Sequence, residues 1–145
     1  MTAPSFTPFR GRPEPVIGDR IRVYRNLNQP GMYSIRALTG QNKGKVLGYA
    51  PAVDLTNVTF KVSERGRQTV LAKRERHVHA FAEGDYASTA STIPEHLRAT
   101  TQNIVTYRPY QSGHFFRLAE PDTPVTHLPT AWAWGSGLIE DNRSD

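Results

Sequence analysis

Two histidines and a run of arginines are the side chains of this sequence best suited to chemistry. His77 and His79 are two residues apart, so on a strand their imidazoles share one face with Phe81 beside them. Imidazoles so placed can ligate a metal or serve as acid and base on a phosphodiester. The pattern stops short of either: there is no His-Glu-x-x-His, and His96, His114 and His127 are scattered at spacings that supply no third ligand. The expectation is no catalytic residue, no metal and no cofactor, with a His77/His79 nuclease kept as the third reading and ordinary core or edge histidines ahead of it.

The segment from Lys61 to Arg76 holds six basic and two acidic residues, a net +4 out of +5 for the whole chain. On a helix advancing about 100° per residue, Arg65, Thr69, Lys73 and Arg76 share one face, a stripe able to contact nucleic-acid phosphates. The plain alternative is a solvated helix face. Arg67 and Arg74 fall beside Val70 and Leu71, where they either snorkel out along their aliphatic stems or pair with carboxylates or carbonyls underneath, a structural pairing being favoured over a ligand site. Arg22 and Arg25 flank Tyr24, and Tyr107-Arg108-Pro109-Tyr110 repeats the mixture. Such clusters stack single-stranded bases, or pack internally as cation–π pairs. Arg22 and Arg25 are read as helpers to Arg65, Lys73 and Arg76. Two further motifs fail on spacing: Gly40 to Lys45 lacks the phosphate-loop pattern and reads as a turn, and Gly135-Ser136-Gly137 is no nucleophile elbow.

The elements that would hold these residues are mostly strands. Prolines at 4, 8, 13 and 15 make residues 1–18 an extended arm. Period-two alternation predicts strands from Arg20 to Leu27, Met32 to Leu38 and Lys45 to Ala50, joined as a meander by turns at Asn28 to Gly31 and Gly40 to Gly44. Asn57 to Val62 alternates most cleanly. At Ser63, a plausible N-cap, the period changes, and a helix of about three turns is expected over 64–76. His77 to Phe81 returns to strand, Glu83 to Glu95 reads as a loop, and Asn103 to Tyr107 with Phe115 to Leu118 forms a hairpin. Residues 121–145 read as an irregular tail whose Trp132 and Trp134 clamp onto the body or a partner.

One domain suits 145 residues, with the body at 19–120. No run of about 18 to 20 apolar residues crosses a bilayer and no secretory signal opens the chain, so the cytoplasm is expected, with no membrane partner. There is no cysteine, hence no disulfide or thiolate chemistry. Residues 1–76 carry 14 Lys or Arg against 5 acids, a net +9, and residues 77–145 carry 4 against 8, a net −4. Either one surface faces a polyanion, or the two halves face each other and partly neutralise.

Arg22-Val-Tyr-Arg-Asn-Leu27, Ser34-Ile-Arg36, Val62-Ser-Glu-Arg-Gly-Arg-Gln68, Val70-Leu71, Val78-His-Ala-Phe81 and Gly84 together resemble a small family from bacteriophages and other mobile elements. The resemblance spans about residues 20 to 118 and brings no established activity. It implies either a nucleic-acid-associated accessory or counter-defence protein, or a virion component. The resulting expectation is an α+β, mainly β fold: a twisted antiparallel sheet or partial barrel with one basic helix. The expected function is binding, more than catalysis, of nucleic acid or a nucleic-acid-handling complex in the host cytoplasm. The alternative is a virion assembly protein that uses its extended ends to contact neighbours or further copies of itself.

Overall fold

The computed structural model describes residues 5–63, 80–108 and 114–141. These form ten strands: β1 Thr7–Pro8, β2 Arg20–Arg25, β3 Tyr33–Ala37, β4 Val46–Ala50, β5 Ala52–Val62, β6 Ala80–Ala90, β7 Ile104–Tyr107, β8 Phe115–Arg117, β9 His127–Trp134 and β10 Gly137–Glu140. All pair antiparallel in one sheet, ordered β1-β4-β3-β2-β6-β5-β9-β10-β7-β8. Alternation decides which side faces the core. In β2, Ile21 and Val23 are buried while Arg20, Arg22 and Tyr24 stand on the other side.

The two longest strands, β5 and β6, form the middle. β5 pairs β6 along one edge and β9 along the other; the β6 ladder shifts register at Asp54/Leu55 and again around Asn57, where the β9 ladder skips a pair without changing register. Asn57 has φ 51°, a left-handed conformation that asparagine tolerates better than most residues. A bulge of this kind bends its strand and increases the twist. Beyond the bulge, Phe60 reaches Phe115 of β8 and stacks on it at 4.4 Å between centroids, although three strands lie between theirs in the sheet. Opposite the bulge lies Pro129, which lacks an N–H to donate. β10 pairs β9 only from Ala131 onward, so this proline interrupts no second ladder.

Bending also brings β3 to the β9–β10 turn. The Tyr33 hydroxyl donates toward the carbonyls of Gly135 and Gly137, at 3.0 and 3.3 Å. The core enclosed by the bend contains Val23, Ile35, Val53, Leu55, Val58, Val105, Leu128 and Leu138, all buried. On the opposite side a smaller cluster of Ala52, Leu97, Trp132 and Ile139 is covered by the segment after β6.

The expected α+β class is corrected to all-β, since the described residues contain no helix and make one open antiparallel sheet. The helix expected over 64–76, with its Ser63 cap, rested on local periodicity. Its segment lies outside the described residues, and its flanks are the two arms of the β5–β6 pair, Val62 opposite Ala80. Glu83 to Ala90, expected as loop, is strand. Its small residues disfavour a strand by propensity, but pairing with β5 and β2 outweighs this, and at Gly84 the close approach favours glycine: a Cβ there would lie 3.1 Å from Leu55 Cβ.

The ends of the chain also differ from expectation. Trp132 and Trp134 sit in β9, next to the central strand, and 127–140 is regular structure where an irregular tail was expected. The described part of the proline-rich arm is held to the sheet at several points. Thr7 and Pro8 pair with Tyr49 and Gly48, and the Phe6 ring occupies the space a Cβ on Gly48 would need. The Tyr86 hydroxyl donates to Glu14 at 2.7 Å.

Burial pushes the Tyr33 hydroxyl from 10.0 up to about 12, with the charge of Arg25 pulling partly back. A phenol whose folded pKa lies above its unfolded value contributes stability that is complete below pH 10 and lost as pH rises through 12. Tyr33→Phe is expected to cost about 1–2 kcal/mol at neutral pH through the lost hydrogen bonds. Urea unfolding of both proteins at pH 7 and at pH 11 checks this. The gap must narrow at the higher pH; a constant gap would show that the hydroxyl does not tie the sheet together.

Candidate nucleic-acid interface

The side of β4, β3 and β2 away from the core carries a cross-strand row set by register: Tyr49 opposite Ser34, and Ser34 opposite Tyr24. Ser34 is small and buried, so the two tyrosines border a shallow depression of about 290 Å³. Phe9, just past β1, forms its third aromatic side, edge-on to Tyr49 at 5.8 Å. Arg25 and the turn residues Asn26 and Asn28 close the opposite rim. Three rings around one serine make an aromatic-walled depression open to solvent.

The next row places Arg36 directly across from Arg22, a like-charge pair that would repel if both side chains extended alike. They diverge. Arg22 crosses to β6, where Nη2 and Nε donate to Glu83 at 2.8 and 3.0 Å and the guanidinium lies 4.7 Å from the Phe81 centroid. Arg36 turns toward Tyr24, donating to its hydroxyl at 3.3 Å. One row further, Arg20 pairs with Asp85 at 3.3 Å and donates to the Asn57 carbonyl and Thr59. Arg20 and Arg22 belong to the basic half of the sequence, Glu83 and Asp85 to the acidic half. The charge gradient is thus partly cancelled across the β2–β6 ladder.

Four cations around the depression escape that cancellation. Arg10 and Arg12 lie 5.1 and 5.6 Å from the Phe9 centroid, and Arg12 also donates to the Val46 carbonyl. Neither these two nor Arg25 or Arg36 has an ion-pair partner among the described residues. The surface therefore offers positive charge beside aromatic rings, which suits an anion carrying flat apolar groups.

Of the residues singled out in the sequence, Arg65, Lys73, Arg76, Arg67, Arg74, His77 and His79 lie outside the described residues. Arg22 is engaged by Glu83 and Phe81, whereas Arg25 stands exposed at the end of β2. Phe9, Arg10, Arg12, Ser34, Arg36 and Tyr49 were not foreseen as site residues. Alternation could have put each tyrosine on an outward face, but only register aligns Tyr24 with Tyr49. Gly40 and Gly44, with φ 80° and 83°, lie in the turn joining β3 to β4, and Ser136 lies in the β9–β10 turn. Among the described residues no three His, Asp or Glu side chains cluster to hold a metal, and no helix is long and apolar enough to cross a membrane.

These features define an all-β, single-sheet protein with an arginine and tyrosine outer face. The chain belongs to a bacteriophage family: the family model described as Mycobacterium phage L5 gene 82 protein matches residues 15–131. It is 30% identical over 131 residues to the Gene 82 protein of Mycobacterium phage L5, covering 87% of this chain and 96% of that protein. No solved structure matches it. The phage resemblance read from the sequence is therefore correct.

The Arg22–Glu83 contact is partly shielded, with side-chain exposures of 28% and 12%. Arg22→Ala and Glu83→Gln are each expected to cost roughly 1 kcal/mol, with the double variant well short of the sum. Denaturant unfolding of the three variants reads this coupling. Strict additivity would mean that the pair holds nothing in place.

Proposed function

We propose that this phage protein is a non-enzymatic binding protein that holds single-stranded nucleic acid across the outer face of β1, β4, β3 and β2, working in the host cytoplasm. The observation that carries this reading is the depression between Phe9, Tyr24 and Tyr49, with Arg25 in its rim and Arg10, Arg12 and Arg36 over the Phe9 and Tyr24 rings, none with an ion-pair partner among the described residues. Stacking on an aromatic ring tolerates any base and is worth about 1–3 kcal/mol per base. The arginines add phosphate neutralisation and release of condensed counterions. A duplex, whose bases are stacked on each other, uses only the second of these terms. The assembly reading drew on extended ends at 1–18 and 121–145, within which Thr7–Pro8, His127–Trp134 and Gly137–Glu140 are strands of the sheet, and this favours the binding reading.

Fluorescence anisotropy with a labelled single-stranded oligonucleotide tests this across salt. With four phosphate contacts, affinity should fall by about one and a half decades between 50 and 200 mM salt. Arg10→Ala and Arg36→Ala should each flatten the logarithmic slope by about 0.7, while Tyr49→Ala should weaken binding by about 1–3 kcal/mol with the slope retained. Absence of binding at 50 mM salt, or binding indifferent to all three changes, would remove nucleic acid as the partner.

A further inference from the structure

On the core side of the sheet, the bend leaves a cleft of about 450 Å³ between the β2–β3 turn and the β9–β10 turn. Its size falls within the roughly 300–1,000 Å³ typical of small-ligand pockets. The space exists because its walls are built from residues with little side chain: Ala80, Ala82, Ala133, Gly135 and Gly137 all line it. Val23, Val105 and Leu138 continue the buried core into it, and Tyr107 and Phe115 add aromatic surface. The Tyr33 hydroxyl bridges from β3 to the carbonyls of Gly135 and Gly137, which holds the two walls apart at a fixed distance. A cavity preset in this way is not created by its ligand, so little of the binding energy goes into ordering it.

The charge of the lining narrows what fits. Among the described residues that line the cleft, Arg25 is the one charged side chain, and no carboxylate, lysine or histidine accompanies it. Arg25 is exposed and has no ion-pair partner among the described residues, yet its charge is felt at the buried Tyr33 hydroxyl. One cation over an apolar interior suits one negative charge on an apolar body. Polyphosphates would need more cations, and a metal ion would need carboxylates or imidazoles.

We propose that this cleft binds a small amphipathic monoanion, its apolar body against Val23, Val105, Phe115 and Leu138 and its anionic end on the Arg25 guanidinium. The apolar interior of the cleft lies on the core side of the sheet, whereas its rim at Tyr24, Arg25, Asn26 and Leu27 is shared with the outer depression, so Ala80→Leu and not Arg25→Gln separates this site from the nucleic-acid reading. Medium-chain carboxylates and aromatic sulfonates have the required chemistry.

The test uses the full chain and 8-anilinonaphthalene-1-sulfonate fluorescence, with octanoate and octanol as competitors. One saturable site per chain is expected, with octanoate displacing the dye about tenfold better than octanol, the effect of one charge-assisted contact. Arg25→Gln should remove the octanoate advantage and leave octanol unchanged. Ala80→Leu, which fills the cleft from the half-exposed end of β6, should weaken both competitors while single-stranded oligonucleotide binding stays as it was. If Ala80→Leu fails to fold, the octanoate-to-octanol ratio in Arg25→Gln still decides. Absence of a saturable site, equal displacement by the two competitors in the unaltered protein, or an unchanged ratio in Arg25→Gln would each overturn the proposal.

Discussion

Strand β5 has no free edge: it is hydrogen-bonded to β6 on one side and β9 on the other, and Val53, Leu55 and Val58 are fully buried between them. Removing such a strand would expose two ladders as well as its side chains, so the rest of the sheet depends on it. Of its two register shifts against β6, the one at Asn57 shapes the molecule. The Asn57 bulge shifts the β6 ladder where the β9 ladder skips a pair, and the bend there carries Phe60 to Phe115 and allows Tyr33 to reach the β9–β10 turn. An unbent sheet of ten strands would place these residues far apart and leave the core face open to water.

Closing the core face assigns a role to the outer one. Period-two alternation sends Ile21, Val23 and Ile35 inward and Arg20, Arg22, Tyr24 and Arg36 outward from the same two strands. Three arginines and several aromatic rings then crowd a small area, and their mutual repulsion is eased by Glu83 and Asp85 from β6. What remains is an excess of cation toward β4 and the arm, where β6 does not reach. The uneven charge of that face follows from strand order: acids supplied by one strand neutralise its immediate neighbour and leave strands further away positive.

The sheet edges are kept short. β1 has two residues, one of them Pro8, and β8 has three, with Phe116 bridged to Pro124 and the Phe115 carbonyl taken by the Val125 N–H. Short, proline-bearing or covered edges discourage strand addition by other chains. The arm, which by composition looked available for lacing onto neighbours, serves as one of these edge covers.

The sequence by itself determined the β character of the chain, the alternation of Ile21 with Arg22 and of Val58 with Phe60's neighbours, the turns at Gly31, Gly40 and Gly44, and the phage family. These are local properties: side-chain period, glycine's access to positive φ, and short motifs all act over a few residues. Tertiary structure decided what local signals do not carry. It made Glu83 to Ala90 a strand despite its small residues, because β2 and β5 pair with it on its two edges and Leu55 leaves little room for a Cβ at Gly84. It made Trp132 and Trp134 part of an inner strand instead of a tail, because β5 needed a second partner. It also aligned Tyr24, Ser34 and Tyr49, which are far apart in the chain, and matched Arg22 with Glu83. Register across three or four strands is set by the whole core at once, so no window of sequence holds it.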